Sequence, residues 1–311
     1  MLAIILFVSY WMARASMQQA DTTQQTAAQQ TATQQAEAVS TSSANTSTSF
    51  SPATWMLPAD PLLGFVLIPA GEFIMGSNPA VDRMAYANER WSAESQQGQI
   101  ALPLYYIGRF EVTNAQFHAY QQATGAASAV NLADEPADFP ATGITLPEAL
   151  AYTRWLEKQL RNSSDIPEEL QTFLAAGAQL SLPSEAEWEK AARGTGGQIF
   201  PWGSQPRNDF ANFLSSRGSD APNAVGSLAC PACAFGLSDM SGNVWELTRS
   251  PMQDYPFDSQ DDAEVLGADA LWVMRGGSYA DTIGNVRAAV RGGVDPGVRN
   301  ATIGFRLVLG M

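Results

Sequence analysis

One segment almost without large apolar side chains limits where this chain can fold. From Gln18 to about Ser51 the sequence consists almost entirely of Gln, Thr, Ala and Ser. Such a composition buries too little apolar surface to offset the conformational entropy that folding would cost. We therefore predict a flexible linker over residues 16–60 of the 311-residue chain. The remaining residues 61–311 are enough for one domain with its own hydrophobic core.

The first fifteen residues have the pattern of a targeting signal. Residues 1–12 (MLAIILFVSYWM) form an apolar run that is shorter than a membrane-spanning helix. Ala13, Arg14 and Ala15 follow, and a small-x-small triplet after an apolar run is typical of a secretory signal peptide, although basic residues ahead of the run are missing. We predict cleavage after Ala15 or retention as a membrane tether, and in both cases export to the periplasm, the cell surface or the medium. A buried strand or helix of the domain is the alternative.

The charge balance excludes one class of partner. The chain has 31 Asp and Glu residues against 17 Lys and Arg residues, a formal net charge of −14 at pH 7. A nucleic-acid-binding protein needs a basic face toward the phosphates, so no nucleic-acid partner is expected. One histidine, His118, and two cysteines also exclude a His-rich zinc or iron site and a four-sulfur site.

The pattern of apolar runs and helix signals predicts an α+β domain. Residues 65–69 and 72–75 are two short apolar runs around a turn, which is typical of strands. Thr113 and Ser184 are good N-cap residues for two helices, the first of which ends at Gly125, and a further helix begins near Pro147. After Gly194 the sequence indicates only turns and short strands. Few helices among many short strands and long loops describe an α+β fold.

Seven sequence blocks occur in the order known from one protein family. They are FVLIPAGEFIMGS (65–77), EVTNAQFHAY (111–120), LPSEAEWEKAARG (182–194), FPWG (200–203), GLSDMSGNVWELT (236–248), RGGSYA (275–280) and IGFRLV (303–308). On these blocks the chain resembles the formylglycine-generating enzymes, or sulfatase-modifying factor domains, over roughly residues 61–311. The resemblance implies a formylglycine-generating-enzyme-type variant of the C-type lectin fold, with little regular secondary structure.

Several residues inside these blocks have a structural interpretation. Gly276, Gly277 and Gly304 are predicted to lie where backbones approach closely or φ is positive. Three arginines are predicted to form internal ion pairs with acidic residues of the same domain. The arginines are Arg275, Arg291 and Arg306, and the predicted partners are Glu111, Glu187 or Asp239.

One departure from the family pattern bears directly on activity. The resemblance implies a catalytic cysteine pair that binds copper in the segment after the GGS block, but residues 279–287 contain no cysteine. Cu(I) selects thiolate or thioether ligands, so we expect no copper and no oxidase activity. Related iron-dependent sulfoxide synthases use three histidines, which His118 alone cannot supply.

The two cysteines, Cys230 and Cys233, lie in the sequence CPAC ahead of a glycine-containing loop. In an exported protein we predict that they form a local disulfide. A thioredoxin-like redox site and half of a zinc site shared across a dimer are the alternatives.

The resemblance also implies a structural Ca²⁺ ion. Its predicted ligands are main-chain carbonyls and one carboxylate, from Ser241, Gly242, Val244 and Glu246. Ca²⁺ takes six to eight oxygens from such mixed sources. The alternative is that Glu246 pairs with an arginine. A second site of the family is only partly present, in Asn212 and Phe213, so we expect one calcium.

The C-terminal segment suggests a binding role. The same fold serves as a scaffold for variable proteins of diversity-generating retroelements, in which Asn codons are rewritten. Residues 276–306 contain no Lys, Glu, Gln, Trp or Met, which rewritten Asn codons cannot produce. A catalytic loop that has drifted would look similar. The predicted binding residues are Tyr279, Ala280, Asp281, Thr282, Ile283, Gly284, Val290, Gly292, Gly293, Val294, Gly297, Val298, Ala301 and Thr302.

These observations lead to one functional hypothesis and one rival. We expect an exported, tethered domain that binds a protein or a small molecule through its C-terminal face and is inactive as an oxidase. The rival is a divergent oxidase of the same family, or a protein-modifying enzyme of the cell envelope that uses Asp281, Thr282 and Tyr279.

Overall fold

The computed structural model describes residues 55–126, 129–214, 220–262 and 270–311. The predicted signal peptide or anchor and the predicted linker up to residue 54 lie outside the described residues. Residues 55–60 belong to the folded domain and not to the linker, which corrects the predicted boundary. Leu57 is buried in the main core and Trp55 packs against that core, so these apolar side chains are used for packing. In the described part of the chain, no helix is both long and apolar enough to cross a membrane.

The described elements alternate between short strands and a few helices. The helices are α1 (Asn114–Thr124), α2 (Leu146–Asn162), α3 (Glu168–Ala175) and α4 (Glu185–Arg193). The strands are β1 (Phe65–Ile68), β2 (Gly71–Met75), β3 (Gly98–Leu102), β4 (Tyr105–Gly108), β5 (Gln179–Ser181), β6 (Trp245–Pro251), β7 (Trp272–Arg275), β8 (Arg291–Val294), β9 (Ile303–Phe305) and β10 (Val308–Gly310). This agrees with the predicted α+β class.

The strands form two four-stranded sheets and one hairpin. The first sheet has the order β1-β4-β10-β5, the second has the order β8-β7-β6-β9, and β2 pairs with β3 alone. Strand β9 runs parallel to β6, whereas the other pairs are antiparallel. Because β9 belongs to one large sheet and β10 to the other, residues 303–310 join the two sheets.

The helix ends follow the local sequence. The side chains of Thr113, Thr145 and Ser184 each accept a hydrogen bond from the backbone N–H three residues later. In return, the backbone N–H of each of these cap residues donates to the side chain at that later position. Such capping boxes satisfy backbone donors that a helix start leaves free. Gly125 ends α1 in the left-handed region, with φ of 66°. The predicted starts at Thr113, near Pro147 and at Ser184 are confirmed.

Helix α4 lies in the middle of the domain, and all nine of its residues are buried. Glu185 and Glu189 lie one turn apart and face the second sheet. There Arg275 contacts Glu189, and Arg291 Nε donates to Glu185 Oε1 at 2.6 Å. Internal pairing of these arginines is therefore confirmed, but the predicted partners are wrong. The Glu187 side chain instead accepts a hydrogen bond from the Ser184 backbone N–H in the helix cap.

Two predicted glycine positions are close backbone approaches. At Gly277 φ is +72°, and an added Cβ would lie 2.5 Å from the carbonyl oxygen of Asn285. At Gly304 an added Cβ would lie 2.9 Å from the carbonyl oxygen of Ala141. A side chain at either position would therefore push two backbone segments apart.

The two cysteines form the predicted local disulfide, Cys230–Cys233, with Cα atoms 5.3 Å apart. It is followed by a 3-10 helix of three residues, Ala234–Gly236. A thioredoxin-like thiol needs the N-terminus of a longer helix to lower its pKa. The structure therefore gives no support to the redox alternative.

Candidate binding surface

Trp245, the first residue of β6, connects the two C-terminal segments that the sequence predicts for binding. Its indole Nε1 donates to Asp281 Oδ2 at 2.8 Å. Its backbone N–H donates to the carbonyl oxygen of Thr302 at 2.8 Å. The loop at residues 279–285 and the segment at residues 297–302 are thus held by the same buried side chain and backbone.

Asp281 holds the loop at residues 279–285 in shape. Its Oδ2 accepts hydrogen bonds from Trp245 Nε1, from the Ser278 backbone N–H at 3.0 Å and from Ser278 Oγ at 2.6 Å. Its Oδ1 accepts one from Asn285 Nδ2 at 2.9 Å. Both carboxylate oxygens are therefore engaged inside the loop. This corrects the prediction that Asp281 displays its side chain to a ligand.

The other predicted positions of this loop differ in exposure. Ala280 and Thr282 are exposed, while Tyr279, Ile283 and Gly284 are half-buried. Tyr279 is anchored through its backbone N–H, which donates to the carbonyl oxygen of Asn243 at 2.9 Å. The loop backbone is thus fixed by groups other than its exposed side chains.

The later predicted positions divide into exposed and buried ones. The exposed or partly exposed positions are Gly292, Gly293, Gly297, Val298, Ala301 and Thr302. Val290 and Val294, by contrast, are only 2% and 6% exposed and belong to the main core. Val294 lies opposite Trp272 in the sheet, and both side chains contribute to that core. The structure therefore removes Val290 and Val294 from the binding surface.

Two exposed residues contact this loop but are not among the binding residues predicted from the sequence. Tyr86 is 47% exposed, and its hydroxyl donates to Asn285 Oδ1 at 2.8 Å. Leu214 is 41% exposed, and its backbone N–H donates to the carbonyl oxygen of Asp281 at 2.8 Å. Both come from loops far away in sequence, so no local pattern indicates their position.

A buried ion pair fixes the Tyr86 loop from beneath. Arg287 lies two residues after the end of the 279–285 loop and is fully buried. Its Nη2 donates to Glu89 Oε1 and its Nη1 to Asp82 Oδ2, each at 2.6 Å. The guanidinium also lies 5.2 Å from the centre of the Tyr86 ring. Tyr86 is therefore held beside the C-terminal loop by several contacts.

Glu246 does not fit the predicted calcium site. It is fully buried, and its Oε2 accepts hydrogen bonds from Arg306 Nε at 2.5 Å and Trp188 Nε1 at 2.7 Å. Its Oε1 accepts one from Arg306 Nη2 at 2.6 Å. A calcium ion would have to displace this arginine. The alternative that Glu246 pairs with an arginine is the one that the structure shows.

The remaining predicted calcium residues, Ser241, Gly242 and Val244, lie in the buried turn before β6. Ser241 Oγ donates to the carbonyl oxygen of Val286 at 2.6 Å. Nearby, the buried Asn212 Oδ1 has no hydrogen-bond partner within the described ranges. Those ranges contain no group of three or more His, Cys, Asp or Glu side chains suited to a metal.

Two further carboxyl groups, Glu111 and Asp239, are buried near Arg306. Burial raises the pKa of Asp239 to about 6. Burial also raises the pKa of Glu111 well above its usual range, and the nearby charge of Asp239 raises it further. Glu111 Oε1 accepts a hydrogen bond from Asn243 Nδ2 at 2.8 Å. Burial therefore favours the protonated form of both carboxyl groups.

Two small cavities lie away from the C-terminal positions. One, of about 20 Å³, lies under Leu57 and Pro58 next to Glu111. The other, of about 10 Å³, lies between Tyr255 and Asp262. No predicted binding residue lines either cavity.

Comparisons with known proteins agree on one family. A family profile described as sulfatase-modifying factor enzyme 1-like domain matches residues 54–311. Hercynine oxygenase of Mycolicibacterium smegmatis is 28% identical over 288 residues, which covers 78% of this chain and 60% of that protein. The inactive C-alpha-formylglycine-generating enzyme 2 of Bos taurus is 30% identical over 206 residues, which covers 61% of this chain and 56% of that protein. This chain thus spans about three fifths of the length of these relatives.

A solved structure has the same fold. Treponema denticola variable protein 1 superposes with a TM-score of 0.60 at 22% identity, over 79% of this chain and 95% of that chain. At this identity the likeness is one of fold alone.

Proposed function

The chain belongs to the sulfatase-modifying factor enzyme 1-like family, and we propose that it is an exported binding protein of this family, inactive as a formylglycine-generating oxidase. The predicted fold, an α+β domain of the formylglycine-generating-enzyme type, is confirmed by the family match and by the structural likeness. Binding, export and inactivity are the proposal that follows.

Inactivity is supported by the position of the sulfur atoms. The segment at residues 279–287 has no cysteine, and the two cysteines of the chain are joined to each other in another loop. No thiolate pair is left to hold copper. A relative at 30% identity is itself named as an inactive formylglycine-generating enzyme.

One observation carries the binding role: the exposed side chains of Ala280 and Thr282 are not needed to hold their own loop. The loop is fixed by the four hydrogen bonds to Asp281 and by the backbone contact to Leu214. Exposed positions on a rigid loop can differ between proteins without loss of the fold. This also supports the hypothesis of a variable segment.

The structure does not favour Asp281 as the general base that the rival hypothesis of a modifying enzyme needs. A general base must be within hydrogen-bond reach of the substrate proton. Both oxygens of Asp281 are already used inside the protein. We therefore favour binding over catalysis at this site.

Export is supported by the N-terminal pattern and by the disulfide. Residues 1–15 resemble a signal peptide or an anchor. Disulfides such as Cys230–Cys233 are typical of oxidising compartments. We propose a periplasmic, cell-surface or secreted location.

We further propose that a single structural calcium binds at Asn212 and not at Glu246. The unpartnered buried oxygen of Asn212 supports this. A hard cation with oxygen ligands would satisfy that oxygen.

Randomised display tests the binding role. Codons for Ala280, Thr282, Val298 and Ala301 are randomised in the full domain on the yeast surface, and the library is sorted for binding to hen egg lysozyme. We expect most members to reach the surface at the parental level and some to bind. A matched library at Trp245, Val294 and Phe305 should lose surface expression. If the first library is lost as well, these positions are structural and the proposal fails.

A further inference from the structure

We infer that the Cys230–Cys233 disulfide is a redox switch that keeps the loop at residues 226–239 closed over the segment that follows β4. We use the name cover loop for residues 226–239. With the disulfide intact the cover loop is closed, and after reduction it opens while the rest of the domain stays folded. This inference does not depend on the proposed binding function. It also differs from a thioredoxin-like site, because neither cysteine acts on a substrate.

The two ends of the cover loop are anchored without the disulfide. The backbone N–H of Gly226 donates to Asp239 Oδ2 at 2.6 Å, which joins residues 13 positions apart. Just before the loop, the backbone N–H of the buried Val225 donates to the carbonyl oxygen of Asp138 at 2.9 Å. Near its end, Leu237 is buried in a hydrophobic cluster that includes residues of α4. Opening of the middle of the loop therefore does not require the domain to unfold.

The closed cover loop packs on the segment that follows β4. Arg109 Nη1 donates to the carbonyl oxygen of Gly236 at 3.2 Å. Gly226 lies so close to the Phe110 ring that an added Cβ would be 2.3 Å from its Cε1 atom. Glu111, the next residue, is only 1% exposed. The cover loop thus shields from solvent the segment that carries this buried carboxyl group.

Cys233 is the residue that holds the middle of the cover loop. Besides the disulfide, its backbone N–H donates to the carbonyl oxygen of Cys230 at 3.0 Å, and its carbonyl oxygen accepts the N–H of Gly236 at 3.3 Å. Both cysteines are half-buried, and Pro231 and Ala232 between them are exposed. A soluble reductant can therefore reach the sulfur atoms from the tip of the loop.

The backbone of the cover loop opposes the closed form. Phe235 and Asp239 both have a φ of 58°, in the left-handed region that residues other than glycine rarely adopt. A disulfide offsets such a cost, because it restricts the number of open conformations that a loop reaches. Reduction removes that restriction and leaves the strained backbone in place. The equilibrium therefore shifts toward the open loop.

The switching step is thiol–disulfide exchange with a dithiol reductant. A thiolate of the reductant attacks one sulfur of the pair and forms a mixed disulfide, which releases the other cysteine as a thiolate. The second thiol of the reductant then displaces the first cysteine. Cys230 and Cys233 together gain two electrons and two protons, and the reductant leaves as its own disulfide. In an oxidising compartment the reverse reaction keeps the cover loop closed.

Hydrogen exchange of the full chain, followed by mass spectrometry, measures the opening. With dithiothreitol as the reductant, we expect peptides from residues 226–239 to exchange about tenfold faster or more than in the oxidised chain, while α4 stays unchanged. Cys230→Ser combined with Cys233→Ser should show the same fast exchange without reductant. Ala232→Ser is the matched control, because it changes an exposed residue between the cysteines and keeps the disulfide.

Carbodiimide labelling of carboxyl groups shows whether the loop covers Glu111. Glu111 should be labelled in the reduced chain and protected in the oxidised chain, and the exposed Glu72 should be labelled in both. Unchanged exchange in the reduced chain would overturn the switch. Faster exchange in α4 as well would overturn the local opening, because the disulfide would then stabilise the whole domain. Faster loop exchange with Glu111 still protected would overturn the role of the loop as a cover.

Discussion

Arg306 and Glu246 form a bidentate ion pair in the interior, with Nε to Oε2 at 2.5 Å and Nη2 to Oε1 at 2.6 Å. Arg306 follows β9 directly, and Glu246 lies in β6, beside β9. The same guanidinium donates to the carbonyl oxygens of Gly108 and Ser238. One arginine thus connects the C-terminal strands, the end of β4 and the turn before β6.

We predict that Glu246→Gln strongly destabilises the domain. The substitution removes the carboxylate that pairs with the buried Arg306, and breaking a buried ion pair costs about 3–5 kcal/mol in free energy of unfolding. Urea unfolding followed by tryptophan fluorescence measures the change. Arg207→Gln, which removes an exposed pair with Asp209, serves as the control and should change the stability far less, because an exposed ion pair contributes little. Equal effects of the two variants would contradict the structural role of Glu246.

Calcium is predicted to stabilise the domain through Asn212. A ligand that binds only the folded state adds RT ln(1 + [L]/Kd), about 2.7 kcal/mol at a hundredfold excess over Kd. Thermal melts with calcium and with chelator should differ for the parent and for Glu246→Gln, but not for Asn212→Ala. Loss of the calcium response in Glu246→Gln with retention in Asn212→Ala would reverse the assignment.

The pH dependence of stability should contain a contribution from Asp239. Its folded-state pKa is raised from 3.8 to about 6, so the folded protein keeps a proton over that range that the unfolded chain releases. The stabilising contribution is therefore complete below 3.8 and is lost as the pH rises through about 6. Asp239→Asn cannot ionise, and its stability relative to the parent should increase between about pH 4 and pH 7. Urea unfolding across this pH range measures the difference in stability between the variant and the parent. A difference that stays constant with pH would contradict a raised pKa of Asp239 in the folded protein.

Sequence alone predicted those features that depend on neighbours along the chain. The caps at Thr113 and Ser184 and the Cys230–Cys233 disulfide involve residues three positions apart, so a short window contains both partners. Which carboxylate meets Arg275 depends instead on how β7 packs against α4. Tyr86 was missed for the same reason, because its contact with Asn285 joins residues 199 positions apart.

The errors at Val290 and Val294 have a related cause. Small residues and valines in the C-terminal segment look alike in sequence whether they face solvent or the core. In β8 the side chain of Val294 packs in the core, while the neighbouring Gly293 is exposed. Successive residues of a strand face opposite sides, so the assignment needs the register of β8 against β7.

Formylglycine-generating activity should be absent. With no thiolate pair at residues 279–287, copper has no soft ligands there. The purified domain is incubated with copper, oxygen and a sulfatase-type cysteine peptide, and the aldehyde is measured by mass spectrometry. A family member with its cysteine pair intact is the positive control. Aldehyde formed by this domain above the level with copper alone would disprove inactivity.

The last prediction separates the exposed from the buried part of the C-terminal segment with one substitution at two matched positions. Val298 is 42% exposed and Val294 is buried in the core. Val298→Asp should change the free energy of unfolding by no more than about 0.5 kcal/mol, since its new carboxylate stays in water. Val294→Asp should cost about 3 kcal/mol or more, because an unpaired carboxylate would be buried among apolar side chains. Urea unfolding of the two variants and of the parent measures both changes in the free energy of unfolding. If Val298→Asp proves as destabilising as Val294→Asp, the segment at residues 297–302 is part of the scaffold and cannot serve as a variable binding surface.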